Sequence, residues 1–122
     1  MPVLKSDSMP VRSETDVVLT RQAVRKWALA KPARALDVNA LAAEFGMSRS
    51  NFSHFFRTRT GLTPARVLTQ TRVREAARML LASNASLKQI ADACGFANAN
   101  HFNRVFRRFQ HTSPGAYRKF KP

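Results

Sequence analysis

Residues 46–57 read GMSRSNFSHFFR, and residues 95–107 read GFANANHFNRVFR, a second version of the same segment with one residue added. Each copy follows a short apolar run and precedes a Thr-Pro or Ser-Pro pair. Seven positions pair between the copies, three at an offset of 49 and four at an offset of 50: Leu41, Ala42 and Gly46 with Ile90, Ala91 and Gly95, and Phe52, Phe56, Arg57 and Pro64 with Phe102, Phe106, Arg107 and Pro114. Because only two copies exist and a distinct segment joins them, the chain is a duplicated unit rather than a solenoid.

Each copy predicts a short helix, a glycine-containing turn and a longer helix. In the first copy, Asp37 can cap a short helix that ends at Gly46, and Ser48 then caps the longer one. In the second copy, a capping box that begins at Ser86 opens the short helix, and Asn98 caps the longer one. This order of elements is the helix-turn-helix arrangement.

Three further helices complete an all-α chain of about seven helices, in two helix-turn-helix subdomains joined by a linking helix. The first helix begins after Ser13, the linking helix begins at Pro64, and a short last helix begins at Pro114. No segment alternates with a period of two residues, so no strand is predicted. The predicted division is a flexible leader at 1–12, a first helix-turn-helix subdomain at 13–62, a linking helix at 63–82 and a second helix-turn-helix subdomain at 83–122.

The charge of the chain indicates a polyanionic partner. Lys and Arg total 21, Asp and Glu total 7, and the net charge is +14. No acidic residue lies between Arg49 and Arg74, and none follows Asp92, so the duplicated segments are almost purely cationic. DNA or RNA fits this charge better than an anionic membrane. A basic surface without a partner would scatter its acidic residues more evenly.

The composition gives little support to an enzyme, a cofactor or a metal site. Cys94 is the only cysteine, and the three histidines, His54, His101 and His111, stand among arginines. A disulfide or a cysteine-based metal site within one chain is therefore excluded. The N-terminus lacks the apolar core of a secretory signal, and no run approaches the ~18 apolar residues of a membrane span. We expect a soluble cytoplasmic protein without metal or cofactor.

Helical periodicity gives each longer helix a buried side and an outer side. At about 100° per residue, the phenylalanines gather on one side, and Ser, His, Asn and Arg lie on the other. These polar side chains suit base edges, although Ser and Asn are also tolerated on a solvated helix. The residues expected to read bases are Ser50, Ser53, His54, Asn100, Asn103 and Arg104. The residues expected to flank them or to contact phosphate are Ser48, Arg49, Asn51, Arg57, Arg59, Asn98, His101, Arg107 and Arg108.

The length of the linking helix predicts how the two units bind one duplex. About 20 helical residues span roughly 30 Å, and adjacent major grooves on one face of B-DNA lie about 34 Å apart. One chain would then place two recognition helices in adjacent major grooves, head to tail. The outer residues differ between the copies, so the predicted binding site is asymmetric, with the larger share of specificity in the second unit.

From these residues the chain resembles the DNA-binding domain of the AraC/XylS transcription regulators. The resemblance rests on residues 55–57 and 61–64 and, with greater specificity, on IADACGF at 90–96, HFNRVFRRF at 101–109 and SPGAYR at 113–118. It covers about residues 16–120. It implies seven helices, sequence-specific promoter binding, and base contacts by the six residues expected above to read bases. The chain departs from the family at Ser50 and Ser53, where many members carry a larger polar residue.

The resemblance also implies partners. Most members carry a separate effector-sensing and dimerising domain, so this chain is either a stand-alone short regulator or the DNA-binding part of a longer one. We favour the second, because the leader at 1–12 would fit the remnant of a linker. It is expected to bind double-stranded promoter DNA as a monomer, with any dimerisation through the other domain. It is also expected to contact RNA polymerase at the promoter. RNA binding is the rival interpretation, because charge alone does not separate the two nucleic acids. The sequence lacks the exposed aromatic stacking face that single strands require.

Overall fold

The chain was analysed as a computed structural model, which describes residues 14–33 and 36–120, with only the backbone for 14–19. Those residues form seven α-helices and no strand, which confirms the predicted fold class. The helices are α1 (Glu14–Ala30), α2 (Val38–Glu44), α3 (Arg49–Thr60), α4 (Pro64–Ala82), α5 (Leu87–Ala93), α6 (Ala99–Gln110) and α7 (Pro114–Arg118). The predicted leader at 1–12 and the cap at Ser13 lie outside the described residues.

The chain divides into two compact units within α4, one up to Thr69 and the other from Gln70 onward. The sequence had predicted that residues 63–82 form a separate linking helix, outside both subdomains. In the structure the first part of α4 supplies Val67 and Leu68 to one core, and the later part supplies Val73 and Leu80 to the other. Because α4 carries apolar residues for both cores, it belongs partly to each unit.

The core of the first unit is built around the phenylalanines of α3. Phe52 and Phe56 are fully buried, together with Val24 of α1 and Leu41 of α2. The two buried rings lie 5.7 Å apart between centroids. Burying a side chain of this size stabilises a fold by about 1.5–3 kcal/mol. The apolar side of α3 therefore holds the helix in place and leaves its other side exposed.

The second unit repeats this arrangement with α6. Phe102 and Phe106 are buried against Leu80 and Ile90, and the ring of Tyr117 in α7 meets Phe106 edge-on with centroids 5.4 Å apart. The phenylalanine side of both longer helices is thus the buried side, as the periodicity predicted.

Arg118 joins α7 to the end of α4. Its Nε donates to the carbonyl oxygen of Leu80 and its Nη2 to that of Ser83, each at 3.1 Å. The last carbonyls of a helix have no partner within it, so the Arg118 guanidinium supplies donors where the α4 backbone lacks them.

Candidate nucleic-acid interface

Side-chain caps set where the two longer helices begin. The Oγ of Ser48 accepts the amide N–H of Asn51 at 3.2 Å, and the Oδ1 of Asn98 accepts that of His101 at 2.8 Å. Both predicted caps are confirmed. Each cap satisfies one of the amides that a helix start leaves without a partner. The first turns of α3 and α6 are therefore fixed relative to the cores beneath them.

The outer side of α3 carries the residues that the sequence predicted there. Ser50 and His54 are exposed and Ser53 is half-buried, while Arg49, Asn51 and Arg57 flank them in exposed positions. These side chains make no hydrogen bond or ion pair with any residue that the structure describes. Their donors and acceptors are available to a ligand.

A groove of about 440 Å³ runs beside this side of α3. Its lining includes two arginines, Arg49 and Arg57, together with Ser53, His54 and Thr63, the residue directly before α4. Thr63 was not among the residues expected to contact DNA, and its hydroxyl accepts the amide N–H of Arg66 at 3.2 Å. The groove brings Thr63 next to the outer residues of α3.

The outer side of α6 carries longer polar side chains than that of α3. Asn100, Asn103 and Arg104 are exposed along it, and Arg107 and Arg108 follow in the last turn. None of these side chains pairs with an acidic residue in the part of the chain that the structure describes. Two amides and three guanidinium groups are therefore presented together on one exposed helix.

The chain is similar to known proteins in both sequence and fold. The sequence profile of a helix-turn-helix domain matches residues 41–119. The chain belongs to the AraC-type helix-turn-helix family. Among solved structures it is similar to the DNA-binding domain of AdpA in complex with a target DNA, at 38% identity and a TM-score of 0.72, covering 82% of this chain and 90% of that one. It is also similar to an AraC-type regulator from Chromobacterium violaceum, at 25% identity and a TM-score of 0.70, over 83% and 94% of the two chains.

Two curated relatives of this AraC-type chain are considerably longer. An uncharacterised HTH-type transcriptional regulator from Haemophilus influenzae is 36% identical over 91 residues, which are 75% of this chain and 30% of that protein. The HTH-type transcriptional activator RhaS of Escherichia coli is 40% identical over 76 residues, or 62% and 27% of the two proteins. The chain thus spans less than a third of the length of these relatives.

Arg59 was expected to contact phosphate, but the structure places its side chain in a buried position. The residue is only 9% exposed, and its guanidinium carbon lies 4.7 Å from the centroid of the Phe55 ring. Arg59 follows Phe52 by seven residues, which is close to two full helical turns, so it falls on the buried side. Its charge suggested a phosphate contact, whereas its helical position assigns it to packing over an aromatic ring.

His101 is only partly available to a ligand. Its ring lies 5.9 Å from that of Phe96 between centroids, and its Nδ1 is buried without a hydrogen-bond partner among the described residues. The imidazole therefore packs along the edge of the second core. Its exposed portion lies beside Asn100 in sequence, where the sequence predicted a flanking residue.

The second unit has a different groove, between α5 and the start of α6. It measures about 580 Å³ and is lined in part by Lys88, Gln89, Asp92 and Asn98. The sequence analysis did not identify it. Asp92 is exposed here and adds a negative charge, so this groove is less suited to a polyanion than the outer side of α6.

Cys94 is a core residue of the second unit. Burial raises the pKa of its thiol to about 11, and its Sγ lies 3.8 Å from the Sδ of Met79. The thiol is therefore protonated at neutral pH and is a poor nucleophile. Among the described residues, no three His, Cys, Asp or Glu side chains come together as metal ligands. No helix there is long and apolar enough to cross a membrane.

Proposed function

We propose that this chain binds duplex DNA in a sequence-specific manner and is the DNA-binding part of a longer transcription regulator. The observation that carries the proposal is the pair of matched helices, α3 and α6, whose outer sides expose cationic and amide side chains without acidic neighbours in sequence. The AdpA domain was solved with a target DNA, and RhaS is named a transcriptional activator. Both support the same conclusion.

In this proposal α6 supplies most of the base readout. Asn pairs well with adenine and Arg with guanine through two hydrogen bonds each, and Asn100, Asn103 and Arg104 are all exposed on α6. On α3, Ser50 and Ser53 are short and bind bases less selectively, and His54 is the only longer side chain among the three. The half-site under α6 is therefore expected to be the more restricted in sequence.

Backbone contacts would position the protein without reading sequence. Arg49 and Arg57 on α3, and Arg107 and Arg108 on α6, are exposed and have no acidic partner among the described residues. Phosphates also favour helix N-termini, so the capped starts of α3 and α6 are further candidates. Each arginine that neutralises a phosphate releases counterions, which makes the affinity fall with salt.

We further propose that α3 and α6 enter adjacent major grooves. The helix α4 has 19 residues, or about 28 Å at ~1.5 Å per residue. Half-sites that face one side of B-DNA are separated by about 34 Å, so a continuous helix of this length is compatible with the spacing. One chain would then bind a head-to-tail site as a monomer, without the two-fold symmetry of a dimer.

RNA polymerase is proposed as a second partner, because RhaS is named an activator of transcription. The cytoplasm is proposed as the place of action. No catalytic step is proposed. An activating role predicts that polymerase and this protein bind one promoter together. A gel-shift titration of polymerase on promoter DNA, with and without the full-length regulator, would test it. Exclusion of polymerase by the bound protein would indicate repression.

The central test is selection of bound duplexes from a random pool, followed by affinity measurements on the selected site. We expect two dissimilar half-sites about 10–10.5 base pairs apart between centres, and a log–log salt slope of several units. Duplex RNA and DNA should be compared at the same salt concentration. Equal affinity for both, or a selected pool without a motif, would contradict sequence-specific DNA binding.

A further inference from the structure

The two recognition helices end with the same backbone geometry on different residues. Gly61, the residue directly after α3, has a φ of 79°, and His111, directly after α6, has a φ of 63°. In both copies the amide N–H of this residue donates to the carbonyl oxygen four residues earlier, Arg57 or Arg107, at 2.8 Å. Glycine adopts this left-handed region freely, whereas a residue with a Cβ is strained there. His111 is the only residue other than glycine with a positive φ among the described residues.

The fold itself offers no contact that compensates for this strain. His111 is exposed, and its imidazole makes no hydrogen bond, ion pair or ring contact with any residue that the structure describes. Gly61 occupies the equivalent position in the first unit, so the helix-turn-helix unit closes equally well with glycine. A strained residue that the surrounding structure does not require is a candidate for a functional contact.

His111 directly follows the last residue of α6. At about 100° per residue, its position falls within roughly 40° of Asn100, Arg104 and Arg107 around the helix axis. It also lies about 6 Å beyond Arg107 along that axis. His111 therefore stands one helical turn beyond Arg107, at the C-terminal end of α6 and next to its exposed polar side.

We propose that His111 is a further DNA-contacting residue, whose imidazole N–H donates to a backbone phosphate at the far end of the α6 half-site. The inference rests on the proposed function of α6. A neutral imidazole always has one N–H donor, so the contact does not depend on a charged ring. The first unit has no counterpart, because Gly61 has no side chain. The α6 half-site should consequently extend one phosphate further than the α3 half-site.

The substitution His111→Gly tests this inference without weakening the fold, because it installs the residue that the first unit already uses. We expect thermal unfolding at an equal or higher Tm, and a Kd for the selected duplex raised about 3- to 10-fold. The matched variant His111→Asn keeps an N–H donor and tolerates the left-handed conformation. It should recover part of the lost affinity. The chain should be tested whole, at fixed salt concentration.

A second measurement locates the contact on the DNA. Phosphates of the α6 half-site are replaced one at a time by neutral methylphosphonates, and the affinity of each duplex is measured. The original protein should lose affinity at one more position than the His111→Gly protein.

An unchanged Kd and an unchanged set of sensitive phosphates in His111→Gly would overturn the inference and leave DNA binding intact. A lower Tm for His111→Gly would also overturn it, because His111 would then contribute within the fold. Failure of the original protein to bind any duplex would instead overturn the proposed function.

Discussion

At the scale of single residues, the two copies agree at buried positions and differ at exposed ones. Phe52 and Phe102 occupy equivalent positions and are both buried. At the outer positions, Ser50 corresponds to Asn100, and His54 to Arg104. Both outer pairs are exposed. The fold constrains the buried positions to large apolar side chains and leaves the outer ones free to vary. Under the proposed function, this difference lets the two helices bind different bases.

Arg104 is the residue whose removal should change base preference most clearly. Arg104→Ala is expected to cost about 1–3 kcal/mol of binding free energy and to relax the preference at one base pair. The measurement is the affinity for the selected duplex and for duplexes with single base changes. Arg108→Ala is the control, because its effect should be uniform over all sequences. A uniform loss for Arg104→Ala as well would mean that Arg104 contacts only phosphate.

Arg57 and Arg59 both lie in the last turn of α3, so their alanine variants can be compared directly. Arg57 is exposed, whereas Arg59 is buried over the Phe55 ring. Arg57→Ala should weaken binding to all duplexes and lower the log–log salt slope by about one, with little change in Tm. Arg59→Ala should lower the Tm and leave the salt slope unchanged. The opposite pattern would restore Arg59 as a phosphate contact.

At the scale of helices, local signals were predicted well from sequence and non-local ones were not. Ser48, Ser86 and Asn98 were correctly identified as caps, because a cap needs only a short polar side chain and the three residues that follow. The C-cap of α6 at His111 gave no such signal, since glycine is the usual residue at a left-handed helix end. The groove beside α3 was also missed, because it depends on how α4 packs.

The helix α7 should depend on Arg118. Arg118→Ala removes two hydrogen bonds to backbone carbonyls of residues at the end of α4 and leaves those carbonyls short of donors. Hydrogen bonds from charged groups contribute about 1.5–3 kcal/mol each in favourable cases. We expect a loss of about 1–3 kcal/mol in the free energy of unfolding, measured by urea denaturation. Lys119→Ala, at the exposed neighbouring position, should change it by less than about 0.5 kcal/mol. Equal effects of the two variants would contradict a specific role for Arg118.

At the scale of the whole molecule, the duplication and the charge were evident from sequence, but the place where the units divide was not. Charge and internal repeats depend only on residue identity. The division depends on which side chains of α4 enter which core, and helical periodicity alone does not separate Val67 from Val73. The chain divides after Thr69, so α4 is a continuous helix that contributes to two cores. Any role of α4 in spacing the two recognition helices must therefore depend on its continuity across this point.

Inserting two alanines between Thr69 and Gln70 tests that role. Two residues add a rotation of about 200° and a rise of about 3 Å, so the helix after the insertion would face nearly the opposite way relative to the helix before it. Each core keeps all its own residues, and circular dichroism should show unchanged helix content. If both recognition helices bind one duplex, affinity for the selected site should fall to that for a duplex with only the α6 half-site. A four-residue insertion, which rotates by only about 40° net, should be the milder of the two changes. Unchanged affinity after the two-residue insertion would mean that one unit binds the DNA alone.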